Sequence, residues 1–144
     1  MKTLNILILE DDLKTLSIIM DRLFKLEEEL FNTSKPLDFS VTVFSTYIQV
    51  KDYVNSLEKN NFDLIILDKD CKLGGSFHVL DLNKFNVNNV IAISTNVEYN
   101  EEVEKLGVKH VVRKDYMEID KFGDEFIKKI KELISAHKIL KKIN

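Results

Sequence analysis

Several chemically active side chains of this 144-residue chain stand directly after short runs of apolar residues. Such runs, bounded by polar residues, are typical of strands that are buried on both faces of a parallel sheet. Because all strands of a parallel sheet point the same way, the residues that follow them meet at one edge, where open α/β folds bind ligands. The residues expected at this edge are Glu10, Asp11, Asp68, Ser94 and Lys114.

These residue types indicate a particular chemistry. Three carboxylates that lie close together raise one another's pKa unless a cation lies between them. An all-oxygen cluster suits a hard divalent ion, and Mg²⁺ commonly takes one or two carboxylates together with water and phosphate oxygens. Beside such an ion, Lys114 can act as a point charge and Ser94 as a hydrogen-bond donor for a phosphoryl group. The pattern therefore predicts Mg²⁺-assisted transfer of a phosphoryl group onto a carboxylate.

The elements that must position these residues form a regular alternation. Apolar or β-branched runs predict strands at 5–9, 39–44, 64–67, 90–93 and 108–112. Apolar side chains at three- and four-residue spacing predict helices at 13–26, 47–57, 77–85, 99–106 and 119–140, with Asp12 as an N-cap and Gly107 as a stop. Alternation of this kind produces right-handed crossovers, so the predicted fold is α/β, a three-layer sandwich around a five-stranded parallel sheet.

Composition limits the class of protein. The length suits a single domain over 1–144, with no output domain and a helical C-terminal extension at about 134–144. The net charge of −3 argues against a nucleic-acid partner, and no apolar stretch is long enough to span a membrane. The single cysteine, Cys71, excludes an internal disulfide and fits a reducing compartment, so we expect a cytoplasmic protein.

Four motifs in the expected order carry a resemblance to a known family. They are ILILEDD, LIILD, VIAIST followed by the LGV turn, and VVRK. From about residue 5 to about residue 133, the chain resembles the receiver domain of bacterial response regulators, which act in two-component systems and phosphorelays. The resemblance implies a flavodoxin-like strand order of 2-1-3-4-5 and a phosphoprotein that phosphorylates and dephosphorylates itself rather than a conventional enzyme.

The resemblance also implies a role for each residue at the sheet edge. It makes Asp68 the acceptor of phosphate from a sensor histidine kinase or phosphotransfer protein, and Lys114 the partner of the phosphoryl group. Ser94 takes the position of the switch hydroxyl, which on phosphorylation shifts the surface that binds a downstream protein partner. The implied Mg²⁺ ligands are Asp68, Asp11 directly, Glu10 through water, and the backbone carbonyl of Asp70.

Three positions depart from the family pattern. Lys72 replaces the proline four residues after the acceptor, and Val111 replaces the aromatic switch residue. Asp115 replaces a proline that is normally joined by a cis bond, so the loop is either rebuilt or held under strain. In the loop after the acceptor, Lys69 and Lys72 are expected to balance the charge of Asp70.

Two other functions remain as alternatives. One is a receiver-like binding module that signals without phosphorylation, which the three departures favour. The other is a Toprim-type Mg²⁺-dependent nucleic-acid enzyme, which would use Glu10 and the pair Asp68 and Asp70. The basic C-terminal end is compatible with a homodimer contact, a partner contact or a solvated helix end (Lys138, Lys141 and Lys142).

Overall fold

The computed structural model describes residues 1–135 of the chain. In chain order the strands are β1 (Lys2–Leu9), β2 (Leu37–Phe44), β3 (Leu64–Leu67), β4 (Val90–Ser94) and β5 (His110–Arg113). The helices are α1 (Leu13–Phe31), α2 (Tyr47–Asp52), α3 (Val97–Lys105) and α4 (Ile119–Ser135). The predicted C-terminal extension lies, from residue 136 onward, outside the described residues. No helix within residues 1–135 has the length and apolar character needed to cross a membrane.

The five strands form one parallel sheet in the order β2-β1-β3-β4-β5, as predicted. All residues of β3 and β4 are buried, which explains why both strands read as continuous apolar runs. Leu9 at the end of β1 pairs with Leu67 at the end of β3. This register brings the residues after the two central strands to the same level of the sheet edge.

Helices cover both faces of the sheet, so the three-layer architecture is also as predicted. On one face, α1 and α4 pack over a core that includes Ile19, Phe122 and Phe126. On the other face, α2, α3 and short 3₁₀ turns bury a second core around Val50 and Phe77. Both faces of the sheet are therefore buried against apolar side chains, and the polar side chains lie at its carboxyl edge.

The helix predicted at 77–85 is not formed. The segment contains only a 3₁₀ turn at Phe77–Val79, with another at Val87–Asn89 before β4. Asp81 and Asn86 each accept a hydrogen bond from the backbone N–H two residues ahead, at 3.1 and 3.0 Å. Such local side-chain bonds compete with helical hydrogen bonding, and the apolar spacing alone did not reveal them. Phe77, Leu80 and Phe85 are nevertheless buried in the second core.

Several element boundaries also differ from the prediction, among them the end of α1, which lies at Phe31 instead of residue 26. The second helix ends at Asp52 and continues only as a 3₁₀ turn at Val54–Ser56. The last strand begins at His110 rather than at residue 108, because Gly107 has φ +99° and the N–H of Val108 still donates to Val103 O at the end of α3. This type of helix end delays strand pairing by two residues.

Close approach of α1 and α4 predicts the effect of one substitution. A Cβ atom on Gly123 would lie 2.8 Å from Ile18 Cγ1 and 3.3 Å from Arg22 Nε. Alanine is favoured over glycine inside a helix, but overpacking opposes this gain, so we expect Gly123→Ala to destabilise the fold by about 1 kcal/mol. Urea unfolding measures the change. In an Ile18→Ala background the same substitution should become neutral or stabilising, and an equal loss in both backgrounds would contradict this packing.

Candidate functional site

The carboxyl ends of β1, β3, β4 and β5 surround one pocket of about 270 Å³. Glu10 and Asp11 follow β1, Asp68 follows β3, and Lys114 follows β5. The residues predicted to share one edge all line this pocket: Glu10, Asp11, Asp68, Ser94 and Lys114. Asp70, which the resemblance implies as a backbone ligand, lines it as well. The structure therefore brings together the whole predicted set, while the roles of its members stay predictions.

Lys114 lies between two buried carboxylates. Its Nζ is 2.9 Å from Glu10 Oε2 and 3.0 Å from Asp68 Oδ1. The side chains of Lys114, Glu10 and Asp68 are 5%, 0% and 8% exposed. A charge buried to this degree is costly unless it is paired, so the three groups form one interdependent network.

The protonation of this network follows from its burial. Burial, together with the charge of Asp68, raises the pKa of Glu10 to about 7. Burial also raises the pKa of Asp68, and Lys114 opposes that change. For Lys114, burial by itself would lower the pKa, but the carboxylates of Asp68 and Glu10 outweigh it and raise the pKa above its usual value. The ammonium is therefore the stable cation of the site.

Backbone groups orient the second oxygen of Glu10. Glu10 Oε1 accepts the N–H groups of Asp11 at 3.0 Å and Asp12 at 2.9 Å. Asp12 in turn caps α1 as predicted, because its Oδ2 accepts both the N–H and the hydroxyl of Thr15 at 2.8 Å. The start of α1 thus holds the acidic segment after β1 in a defined conformation.

Three carboxylates could hold a metal ion. Glu10, Asp11 and Asp68 each offer an oxygen, and these oxygens all lie within 4.8 Å of one another. The donors are all hard oxygen atoms, and the side chains of Asp70 and Lys72 in the pocket lining are exposed to solvent. Such a donor set fits Mg²⁺, which keeps several water ligands.

Ser94 connects the pocket to α3. It is the last residue of β4, is 6% exposed, and lines the pocket. Its Oγ accepts the N–H of Asn96 at 3.1 Å, and the side chain of Asn96 caps α3 by accepting the N–H of Glu98. Movement of the Ser94 hydroxyl would therefore break a hydrogen bond to Asn96, the residue that caps α3.

The loop after Asp68 contains contacts that sequence reasoning missed. Lys69 pairs with Asp70 at 3.7 Å, as expected, and its Nζ also lies 2.8 Å from the centroid of the Tyr99 ring. Lys72 does not pair with Asp70. Its backbone N–H donates to Asp11 Oδ2, and its Nζ lies 3.2 Å from Asp11 O. The only feature of the sequence that could have indicated the contacts of Lys72 is that this residue replaces a proline of the family pattern.

The two remaining departures concern β5 and the loop after it. Val111 is half-buried and packs against the second core, so β5 has an aliphatic side chain at the family's aromatic position. The loop after Lys114 is rebuilt around Asp115. Asp115 Oδ1 accepts the N–H of Met117 at 2.9 Å, and Asp115 O accepts the N–H of Glu118 at 3.2 Å. This local turn leads directly into α4.

Comparison with known proteins establishes the fold. A scan against protein-family models and a search of curated proteins both gave no match. Among solved structures, the chain is similar to the bacteriophytochrome response regulator AtBRR, with a TM-score of 0.59 and 21% identity over 91% of this chain and 92% of that one. It is also similar to a fusion protein containing a yeast Spc42 trimeric coiled-coil segment, with a TM-score of 0.54 and 18% identity over 98% and 91% of the two chains. At these identities the likeness shows that the chain has a receiver fold, as predicted.

Proposed function

We propose that this chain, which has the fold of a response-regulator receiver domain, accepts a phosphoryl group on Asp68. The donor is the phosphohistidine of a sensor histidine kinase or phosphotransfer protein in the cytoplasm, and the reaction requires Mg²⁺. The observation that carries the proposal is the contact of the Lys114 ammonium with both Glu10 and Asp68, beside a cluster of three carboxylates. A buried acid with a fixed cation and a candidate metal site meets the needs of phosphoryl transfer.

The chain itself supplies the groups that would hold the metal. The side chains of Glu10, Asp11 and Asp68 and the backbone carbonyl of Asp70 would bind Mg²⁺, with Glu10 acting through water. When bound, the ion offsets negative charge on the transferring phosphoryl oxygens. The raised pKa of Glu10 fits this assignment, because a cation in the pocket would stabilise the charged form of its carboxylate.

In the transfer step, a carboxylate oxygen of Asp68 attacks phosphorus in line with the leaving histidine. The O–P bond forms as the P–N bond breaks, and the imidazole nitrogen retains the electron pair. Lys114, already 3.0 Å from Asp68 Oδ1, neutralises charge on the phosphoryl oxygens, and the Ser94 hydroxyl donates to one of them. In the separate dephosphorylation step, water attacks phosphorus and the bond between phosphorus and the Asp68 oxygen breaks, which releases inorganic phosphate and restores the Asp68 carboxylate.

The output would pass through Ser94 and α3. If the Ser94 hydroxyl turns toward the phosphoryl group, its bond to the N–H of Asn96 at the start of α3 is lost. The equilibrium between two packings of α3, β5 and α4 then shifts and changes the surface offered to a downstream protein. Because residue 111 is valine, this shift takes place without the aromatic movement known in the family.

A labelling experiment tests the proposal. The protein is incubated with Mg²⁺ and a small acyl phosphate, and the product is mapped by mass spectrometry. We expect one acid-stable, base-labile phosphoryl adduct on Asp68, which is absent without Mg²⁺ and absent in Asp68→Asn. Lack of an adduct in a protein that binds Mg²⁺ would favour the phosphorylation-independent binding module. Metal-dependent nicking of DNA would instead favour the Toprim-type enzyme.

A further inference from the structure

A tight turn after the acceptor strand touches the carboxylate of Asp11. The N–H of Gly74 donates to Cys71 O at 3.0 Å, and the N–H of Cys71 donates to Gly75 O at 3.2 Å. Within this turn, the backbone N–H of Lys72 points at Asp11 and donates to its Oδ2. This hydrogen bond joins two loops that are 61 positions apart in the sequence.

The contact has a direct consequence for a metal ligand. Asp11 is half-buried, so without this hydrogen bond its carboxylate could adopt several orientations. A hydrogen bond on Oδ2 selects one of them and leaves Oδ1 available to an ion. Carboxylates that bind metals are commonly held in this way, and loss of the supporting donor typically weakens metal binding by about 10- to 100-fold.

We propose that the backbone N–H of Lys72 is a positioning donor that orients Asp11 for Mg²⁺ binding. The inference rests on the metal site of the proposed function and assigns it a residue from outside the acidic cluster. In the family pattern this position is proline, which has no N–H to donate. The departure at residue 72 thus provides a support for the metal ligand that a proline in the same turn could not provide.

The side chain of Lys72 acts separately from its N–H. Its ammonium lies 3.2 Å from Asp11 O and 3.7 Å from Asp12 Oδ1, so its positive charge stands next to the candidate metal site. Like charges repel, so this ammonium opposes the binding of a cation. A test of the N–H must therefore hold the side-chain charge constant.

The structure offers a matched pair of substitutions. Lys72 is the second residue of the turn closed by Gly74 and Cys71, a position where proline is favoured in both common turn types. Lys72→Pro should therefore be tolerated by the turn while removing the N–H. Lys72→Met keeps the N–H. Both variants remove the ammonium, so the difference between them isolates the backbone donor.

Calorimetric titration of the full chain with MgCl₂ tests the inference. We expect the Kd for Mg²⁺ to be about 10-fold higher in Lys72→Pro than in Lys72→Met. Lys72→Met should bind at least as tightly as the wild type, because it loses only the opposing charge. The thermal midpoints of the two variants without Mg²⁺ should agree within a few degrees, which separates positioning from general damage. Equal Kd values in the two variants overturn the inference.

A second measurement does not depend on the proline variant folding. Amide hydrogen exchange at Lys72 is compared in the wild type and in Asp11→Ala. Loss of one hydrogen bond should speed exchange at this amide by about 10-fold, while amides of β3 stay unchanged. An unchanged rate at Lys72 overturns the inference.

The outcomes separate this inference from the proposed function. Phosphoryl uptake on Asp68 with equal Kd values in Lys72→Pro and Lys72→Met overturns only the role of the N–H. A difference in Kd without any phosphoryl uptake overturns only the proposed function. Absence of Mg²⁺ binding by the wild-type protein overturns both.

Discussion

Replacement of Lys114 by methionine should lower the rate of phosphoryl uptake from a small acyl phosphate by about 100-fold or more. The ammonium lies 3.0 Å from Asp68 Oδ1, where negative charge develops as the phosphoryl group arrives. Within residues 1–135, no other cation has a salt bridge to Asp68. Methionine has a similar volume, so the pocket keeps its shape and loses only the charge. The rate is measured as adduct formation at saturating Mg²⁺.

The same substitution should also change stability. Without Lys114, the carboxylates of Glu10 and Asp68 stay buried without their cation, which typically costs about 3–5 kcal/mol in unfolding free energy. Mg²⁺ should restore part of this loss, because it places a positive charge beside the same two carboxylates. Urea unfolding with and without Mg²⁺ measures both effects, and the stabilisation by Mg²⁺ should be larger in Lys114→Met than in the wild type.

Lys69→Met is the matched control for this experiment. Lys69 lines the same pocket, but its ammonium pairs with Asp70 and the Tyr99 ring instead of Asp68. We expect its rate of phosphoryl uptake to stay within a few-fold of the wild type. A Lys114→Met protein that is labelled as fast as Lys69→Met would contradict the assigned role of Lys114.

The second large effect concerns the two glycines of the loop after Asp68. Gly74 and Gly75 both have positive φ, +85° and +87°. A Cβ on Gly75 would lie 2.0 Å from Cδ1 of Tyr47, the first residue of α2, whereas a Cβ on Gly74 would meet no atom within 4 Å. Gly74→Ala should therefore lose only about 1–2 kcal/mol of unfolding free energy from backbone conformation. Gly75→Ala adds overpacking and should lose about 3 kcal/mol.

Denaturant unfolding of both variants distinguishes the two contributions. Removal of the ring in a Tyr47→Ala background should bring the loss from Gly75→Ala down to that of Gly74→Ala. If the two substitutions lower the unfolding free energy equally in the native background, the Tyr47 ring does not pack closely against Gly75. The comparison also matters for the site, because Gly75 O accepts the N–H of Cys71 in the turn that contains Lys72.

Much of the fold could be predicted from local patterns. The apolar runs of β3 and β4 required burial on both faces, and alternation with amphipathic segments required parallel crossovers. Because the residues that follow parallel strands lie at one edge, the sequence predicted that the acidic residues, Ser94 and Lys114 lie together. The segment 77–85 was predicted wrongly, because its apolar spacing is helical while Asp81 and Asn86 bind the backbone locally.

By itself, the sequence determined which residues meet, since hydrophobic pattern and chain connectivity predict parallel strands whose carboxyl ends share one edge. The strand order was implied only by the resemblance to receiver domains. Only the tertiary structure decided how they interact. Lys114 bridges Glu10 and Asp68, and the N–H of Lys72 donates to Asp11, because loops distant in sequence approach each other within hydrogen-bond distance. A pattern of residue types predicts which whole segments are buried, because burial depends on the average hydrophobicity of a strand or of one face of a helix. Hydrogen bonds and ion pairs depend on positions to within a few tenths of an ångström, which only the packed chain defines.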